Sequence, residues 1–164
     1  MSRARAAAGT LVFLAVAPGV VAGLVPWLLT HWESTGPAAW VRALGWAITA
    51  GGAAVVVEAF MRFALDGLGT PAPIAPTSTL VVGGLYRYVR NPMYLAVAAV
   101  IVGQAGILGR WILVAYALVF GAVVWTFVHV YEEPSLRRRF GDDYDDYVRR
   151  VPGWLPRRPR RPVQ

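Results

Sequence analysis

Residues 91–134 read NPMYLAVAAVIVGQAGILGRWILVAYALVFGAVVWTFVHVYEEP. Two apolar runs, 92–108 and 111–131, are separated by Gly109-Arg110 alone. At 1.5 Å per helical residue each run approaches the thickness of a bilayer's hydrocarbon core. A two-residue break leaves room only for a tight antiparallel hairpin. Pro92 opens the first run at a helix position where its missing N–H does no harm.

Two further apolar blocks lie upstream, at 8–30 and 38–65. Twenty-three helical residues in the first would span about 34 Å, enough to cross. Pro18 and Pro26 would kink it, which membrane helices tolerate. A signal peptide competes for the first block, because Arg3 and Arg5 precede it. The block is long for that purpose and lacks a clean small-x-small cleavage site. Gly51-Gly52 in the second block would let a neighbouring helix approach closely.

Composition agrees with this class. The 164 residues suit one domain. Hydrophobic residues make up 57%, mean hydropathy is +0.49, and charged residues are only 15%. Soluble domains carry about 25% charge, so the chain is expected to be an all-α integral membrane protein. The expected architecture is four transmembrane helices followed by a C-terminal amphipathic cytoplasmic helix. Cysteine is absent, which removes disulfides, thiolate catalysis and Cys-type zinc sites. Lysine is absent too, which removes Schiff-base chemistry and a P-loop.

All 16 basic residues are arginine and the net charge is +7. They flank the apolar blocks, which fits an anionic lipid surface rather than nucleic acid. The N-terminus, the segment from Arg62 to Arg90 and the tail after Pro134 hold 2, 3 and 9 arginines; the opposite side holds Arg42 and Arg110. Fourteen against two predicts both termini in the cytoplasm. Trp27, Trp32 and Trp40 then fall at the outer interface, where indoles prefer to sit. Residues 66–91 read as a cytoplasmic loop, with a short extended piece in TLVVGGLY. The RRPRRP stretch within 153–164 reads as a disordered tail drawn to anionic lipid.

Under this topology polar groups converge on the cytoplasmic boundary. Arg87, Arg90, Asn91 and Tyr94 open the third helix, Glu132-Glu133 close the fourth, and Glu58 and Arg62 lie near the end of the second. Gln104 lies deeper in the third. Each has a bland explanation. Arginines snorkel, tyrosines line interfaces, Glu58 and Arg62 pair at i,i+4, and a glutamine glues helices. The adjacent glutamates resist that treatment. At the end of a membrane helix they oppose its dipole, and ionisable groups there are functional candidates.

Beyond them, Leu136, Phe140, Tyr144, Tyr147 and Val151 recur on one helical face over 134–152. Gly141-Asp142 is a candidate break, with Asp142 as the cap. An amphipathic segment under the membrane would lid the site.

YRYVRNPMYLA at 86–96 and YEEPSLRRRFGDDYDDYVRRVPGWLP at 131–156 resemble the isoprenylcysteine carboxyl methyltransferase and phospholipid methyltransferase superfamily. The Arg-x-Pro-x-Tyr element, the Glu-Glu pair and Phe-Gly-x-x-Tyr-x-x-Tyr-x-x-x-Val-Pro recur in the family's order, over about half the chain. Prenylcysteine enzymes usually read Arg-His-Pro where this chain has Arg90-Asn91-Pro92; the asparagine is nearer to phosphatidylethanolamine methyltransferases. The resemblance implies a membrane enzyme that uses S-adenosyl-L-methionine and acts on a membrane lipid or other lipophilic substrate.

With that cofactor, Arg90 would pair with its carboxylate, helped by Arg87. Glu132 or Glu133 would accept from the ribose or amino group, and Tyr144 and Tyr147 would offer aromatic surface. Tyr94 belongs to the same cofactor set, and Asn91 and Gln104 would bond the adenine edge. A carboxylate among Glu58, Glu132 and Glu133 would take the proton of an amine acceptor. Two other readings stay open. His129, Glu132 and Glu133, at i, i+3 and i+4, would suit a metal ion. A sterol-type reductase would use NADPH, although no dinucleotide glycine signature is present.

Overall fold

A computed structural model describes residues 16–65 and 80–157. The expected start of the first helix, the loop residues 66–79 and the tail beyond Arg157 lie outside them. All regular structure among the described residues is helical. Helix α1 covers Val16–Thr30 and α2 Ala39–Leu65. A 3-10 turn at Gly84–Arg87 leads into α3, Pro92–Leu108. Helix α4, Trp111–Phe127, passes through a wider turn at Val128–Glu132 into α5, Glu133–Phe140, and α6 comes next at Asp142–Arg150.

Two of these helices are long and apolar enough to cross a membrane, Ala39–Arg62 and Ile112–Phe140. Only 28% and 22% of their apolar windows are buried within the protein, the reverse of a soluble core helix. Val16–Thr30 and Pro92–Leu108 are apolar but shorter. Leu118, Val123, Val130 and Trp125 stand exposed along one long helix, as lipid-facing side chains do.

The seam between α2 and α3 is the tightest packing. A Cβ on Gly45 would sit 2.6 Å from the Gly103 carbonyl oxygen, and one on Gly52 2.8 Å from that of Ala96. Small residues let the two backbones touch, which substitutes for a hydrophobic drive that lipid does not supply. Of the Gly51-Gly52 pair, only Gly52 faces α3; Gly51 faces open space. Phe60, Ile101 and Leu113 are fully buried around this seam. At its far end Gly109 takes φ 68° to close α3, a conformation glycine adopts without strain. The Thr35 N–H donates to the Leu108 carbonyl there, at 2.9 Å.

Two turns of π-helix share one cause. Val20–Leu24 and Val128–Glu132 each end one residue short of an X-Pro step, at Val25-Pro26 and Glu133-Pro134. A proline inside a helix supplies no N–H and its ring pushes on the carbonyl four residues back. Widening the turn accommodates the ring without ending the helix.

Helix α4 therefore does not stop at Tyr131, where the sequence suggested an end. Backbone angles stay helical through Val128 and Glu133. The dipole argument for Glu132-Glu133 falls with this, because the pair is not at a helix terminus. Between α5 and α6 the chain does break at Gly141, with φ 51°. Gly141 itself is the cap; Asp142 lies inside the first turn of α6 and makes no capping hydrogen bond.

Candidate functional site

The segment entering α3 is shaped by what it presses against. Gly84, at φ 54°, lies on the Glu58–Arg62 pair so closely that a Cβ would collide with the Glu58 carboxylate. That pair is 3.2 Å apart and half-buried. Tyr86 then packs with Ala59, Val81 and Met93. The Tyr147 hydroxyl of α6 donates to the Tyr86 carbonyl at 2.7 Å, so α6 is fastened under the start of α3.

The wide turn before Pro134 directs the two glutamates to different partners. Glu133 meets Arg90 at 2.9 Å, with the two side chains 19% and 14% exposed. Glu132 accepts from the Tyr94 hydroxyl at 3.0 Å. Neighbouring helical residues project about 100° apart, so one carboxylate faces the loop and the other faces α3. The Arg90 guanidinium also donates to the Tyr144 hydroxyl at 3.3 Å. Desolvation makes such a pair costly to break, because the survivor stays buried and unpaired.

Past α6, a strap crosses this site. The Arg90 N–H donates to the Pro152 carbonyl at 2.9 Å, the Asn91 side-chain amide to the Gly153 carbonyl at 3.1 Å, and the Arg157 N–H to the Tyr88 carbonyl at 3.0 Å. Gly153 passes so near that a Cβ there would stand 3.1 Å from Arg90 Nη2. Val151 anchors the strap in an apolar cluster with Tyr144 and Tyr147. Burial raises the pKa of the Tyr144, Tyr147 and Tyr86 phenols. At Tyr144 the Glu133 charge adds to the rise and Arg90 opposes it; at Tyr147 Arg90 opposes it. All three therefore remain protonated donors at neutral pH.

The expected site residues divide. Arg90, Glu133 and Tyr144 meet directly, Glu132 and Tyr94 form an adjoining pair, and Tyr147 braces the floor. Asn91 is 7% exposed and spends its amide on the strap. Arg87 is exposed. Glu58 stays with Arg62, and its second oxygen is buried with no hydrogen-bond partner.

Gln104 is elsewhere. Thirteen residues along α3 from Asn91, about 20 Å away by helical rise, it donates to the Ala22 carbonyl at 2.6 Å. The Tyr116 hydroxyl donates to the Val21 carbonyl at 2.9 Å. Those two carbonyls are the ones Pro26 leaves without an N–H, in α and in π register. The glutamine is a brace between helices rather than part of the boundary cluster. Metal ligation also loses its basis. His129 is hydrogen-bonded to the Trp125 carbonyl, the glutamates face Tyr94 and Arg90, and no group of three such ligands forms among the described residues.

Trp154 carries no expectation from the sequence. Its indole N–H is buried without an acceptor, as is the Nε–H of Arg90. A tryptophan just after a Val-Pro-Gly turn that closes an amphipathic helix was the available signal.

The sequence pattern of the phospholipid methyltransferase family matches residues 40–143, from the start of α2 to the start of α6. The protein-S-isoprenylcysteine O-methyltransferase of Schizosaccharomyces pombe is 35% identical over 80 residues. That stretch is 47% of this chain and 33% of the yeast protein, so the chain spans about a third of the relative it matches. The family match covers well over half of the chain and includes Glu58, Arg90, Tyr94, Glu132 and Glu133; the chain belongs to the phospholipid methyltransferase family.

Proposed function

We propose that this chain is an integral membrane methyltransferase that transfers a methyl group from S-adenosyl-L-methionine to a lipophilic acceptor at the cytoplasmic face. The observation that carries it is the buried Arg90–Glu133–Tyr144 cluster, with an Arg90 N–H still lacking an acceptor, in a chain of this family. The family match leaves the reductase reading without a counterpart observation.

The donor set fits the cofactor. An acceptorless buried guanidinium N–H suits its carboxylate, and the Glu132 carboxylate suits its hydroxyls or ammonium. When bound, the cofactor supplies an electrophilic methyl group on a sulfonium. Arg90 is held by Glu133 and Tyr144, so it is aligned before any ligand arrives. Tyr94 fixes the Glu132 carboxylate. Glu58, with one buried oxygen unpartnered, is the group to take a proton from an amine acceptor. The strap from Val151 to Arg157 keeps water from the Arg90 side.

The topology of this proposal has four crossings with both termini cytoplasmic, supported by the arginine asymmetry. The acceptor enters laterally from the bilayer; an aminophospholipid and an isoprenoid-linked carboxylate are the two candidate types. The Arg-rich tail is drawn to anionic lipid. Calorimetric titration of S-adenosylhomocysteine into detergent-purified protein tests the reading, repeated with Arg90→Ala and Glu132→Gln. Binding that weakens in both supports it; no binding to the native chain overturns it. Lipid extract incubated with methyl-labelled cofactor then identifies the acceptor.

A further inference from the structure

We infer that the Trp154 indole N–H, carried over Arg90 by the 151–157 strap, is the second donor of a carboxylate subsite whose first donor is Arg90 Nε. The inference rests on the methyltransferase reading above and adds a contact residue to it. The family match ends at residue 143, so it says nothing of this segment.

Three observations meet here. Trp154 Nε1 and Arg90 Nε are both buried and both lack an acceptor among the described residues. Buried N–H groups are almost always paired, so two on segments that touch, the Arg90 side chain and the residue after Gly153, call for a common explanation. The strap between them is held in place, not loosely draped. Arg90 N–H bonds Pro152, the Asn91 amide bonds Gly153, and the Arg157 N–H bonds Tyr88. Finally, residue 153 is a glycine where any Cβ would crowd the Arg90 guanidinium at 3.1 Å. That closeness runs the backbone leading into Trp154 alongside the same side chain.

Two N–H donors, one of them cationic, define the ligand chemistry. A carboxylate accepts two hydrogen bonds in a plane, one from each N–H. A protonated amine accepts from neither donor, and a hydroxyl, though it can accept from both, bonds a cationic donor more weakly than a carboxylate does. On the proposed cofactor the matching group is the amino-acid carboxylate. Asn91 acts through the strap and is a positioning residue here, not a contact to adenine.

The test compares two ligands on one protein. Trp154→Phe keeps an aromatic ring and removes the N–H. Calorimetry of this variant and the native chain is run with S-adenosylhomocysteine and with its decarboxylated analogue, which differs only in the carboxylate. The expected result is a roughly tenfold weakening of S-adenosylhomocysteine, with the analogue unchanged. Because both ligands sample the same folded pool, partial unfolding cannot mimic that difference. Equal S-adenosylhomocysteine affinity in variant and native chain overturns the inference. So does an equal loss for both ligands, which would place Trp154 against the adenosine. Native protein that binds neither ligand removes the methyltransferase reading itself. Asn91→Ala should weaken S-adenosylhomocysteine in the same ligand-selective way, and an unselective effect would count against the strap as the positioning element.

Discussion

The two π-turns are the same backbone device put to different uses. Each precedes an X-Pro step, at Pro26 in α1 and at Pro134 in the first turn of α5. At the first, the carbonyls freed by the missing N–H are met by Gln104 and Tyr116, and the result is a brace holding α1 to α3 and α4. At the second, the extra residue in the turn sets the angular position of Glu132 and Glu133, and one carboxylate reaches Tyr94 while the other reaches Arg90. A proline inside an apolar helix thus states a hydrogen-bond deficit. The groups opposite decide whether the deficit becomes architecture or a candidate site.

The largest effect is expected where the second turn meets its partner. Arg90→Ala leaves Glu133 buried without its cation and should cost about 3 kcal/mol of stability, together with at least a roughly hundredfold loss of S-adenosylhomocysteine affinity. Thermal melting and calorimetry would show both; native-like binding would sever the second turn from function. Pro134→Ala ranks second. It restores the N–H and permits an α-register turn, which rotates the downstream helix by about 100°. Affinity should fall more than about tenfold, and melting temperature should fall with it because Glu133 turns away from Arg90. Unchanged affinity would mean that the wide turn does not set the glutamates.

The first turn should behave in the opposite way. Gln104→Leu and Tyr116→Phe should each cost about 1 kcal/mol of stability and leave cofactor affinity alone. In a Pro26→Ala background, where the N–H returns, those costs should shrink; additivity in that double-mutant cycle would sink the compensation argument. The smallest effect concerns pH. Tyr86, Tyr144 and Tyr147 have folded-state pKa values raised above the ordinary phenol value, mainly by burial. Their contribution is fully present below about pH 10 and lost as pH climbs toward the folded values, because the unfolded chain ionises first. Melting temperature should decline above about pH 10, and less steeply in Tyr144→Phe.

Much of the helical framework was readable because its causes are local. Pro92 and Gly109 bound α3 by their own backbone chemistry, and apolar runs of this length mark helices whatever surrounds them. The candidate site was half readable. Arg90, Glu133 and Tyr144 come together, yet a dipole conflict at a helix end cannot be why the glutamates are there, because the helix continues to Phe140. The fourth run is expected to end at 131, yet the helix continues through a widened turn ahead of Pro134. Asn91 and Gln104 carry the same kind of amide, and nothing in their immediate neighbours says that one holds a strap and the other a carbonyl of α1.

The sequence alone determined the chemical class: long apolar helices, no thiol or lysine chemistry, and carboxylates, arginines and tyrosines at the ends of the apolar runs. Those properties come from composition and spacing along the chain. Tertiary structure decided the partners, including which of two adjacent glutamates meets Arg90, which of two adjacent glycines meets α3, and where the Trp154 strap lies. Such choices depend on the rotation and depth of one helix against another. That rotation is set by packing across the seam and by extra residues in the π-turns, over distances that local sequence does not encode.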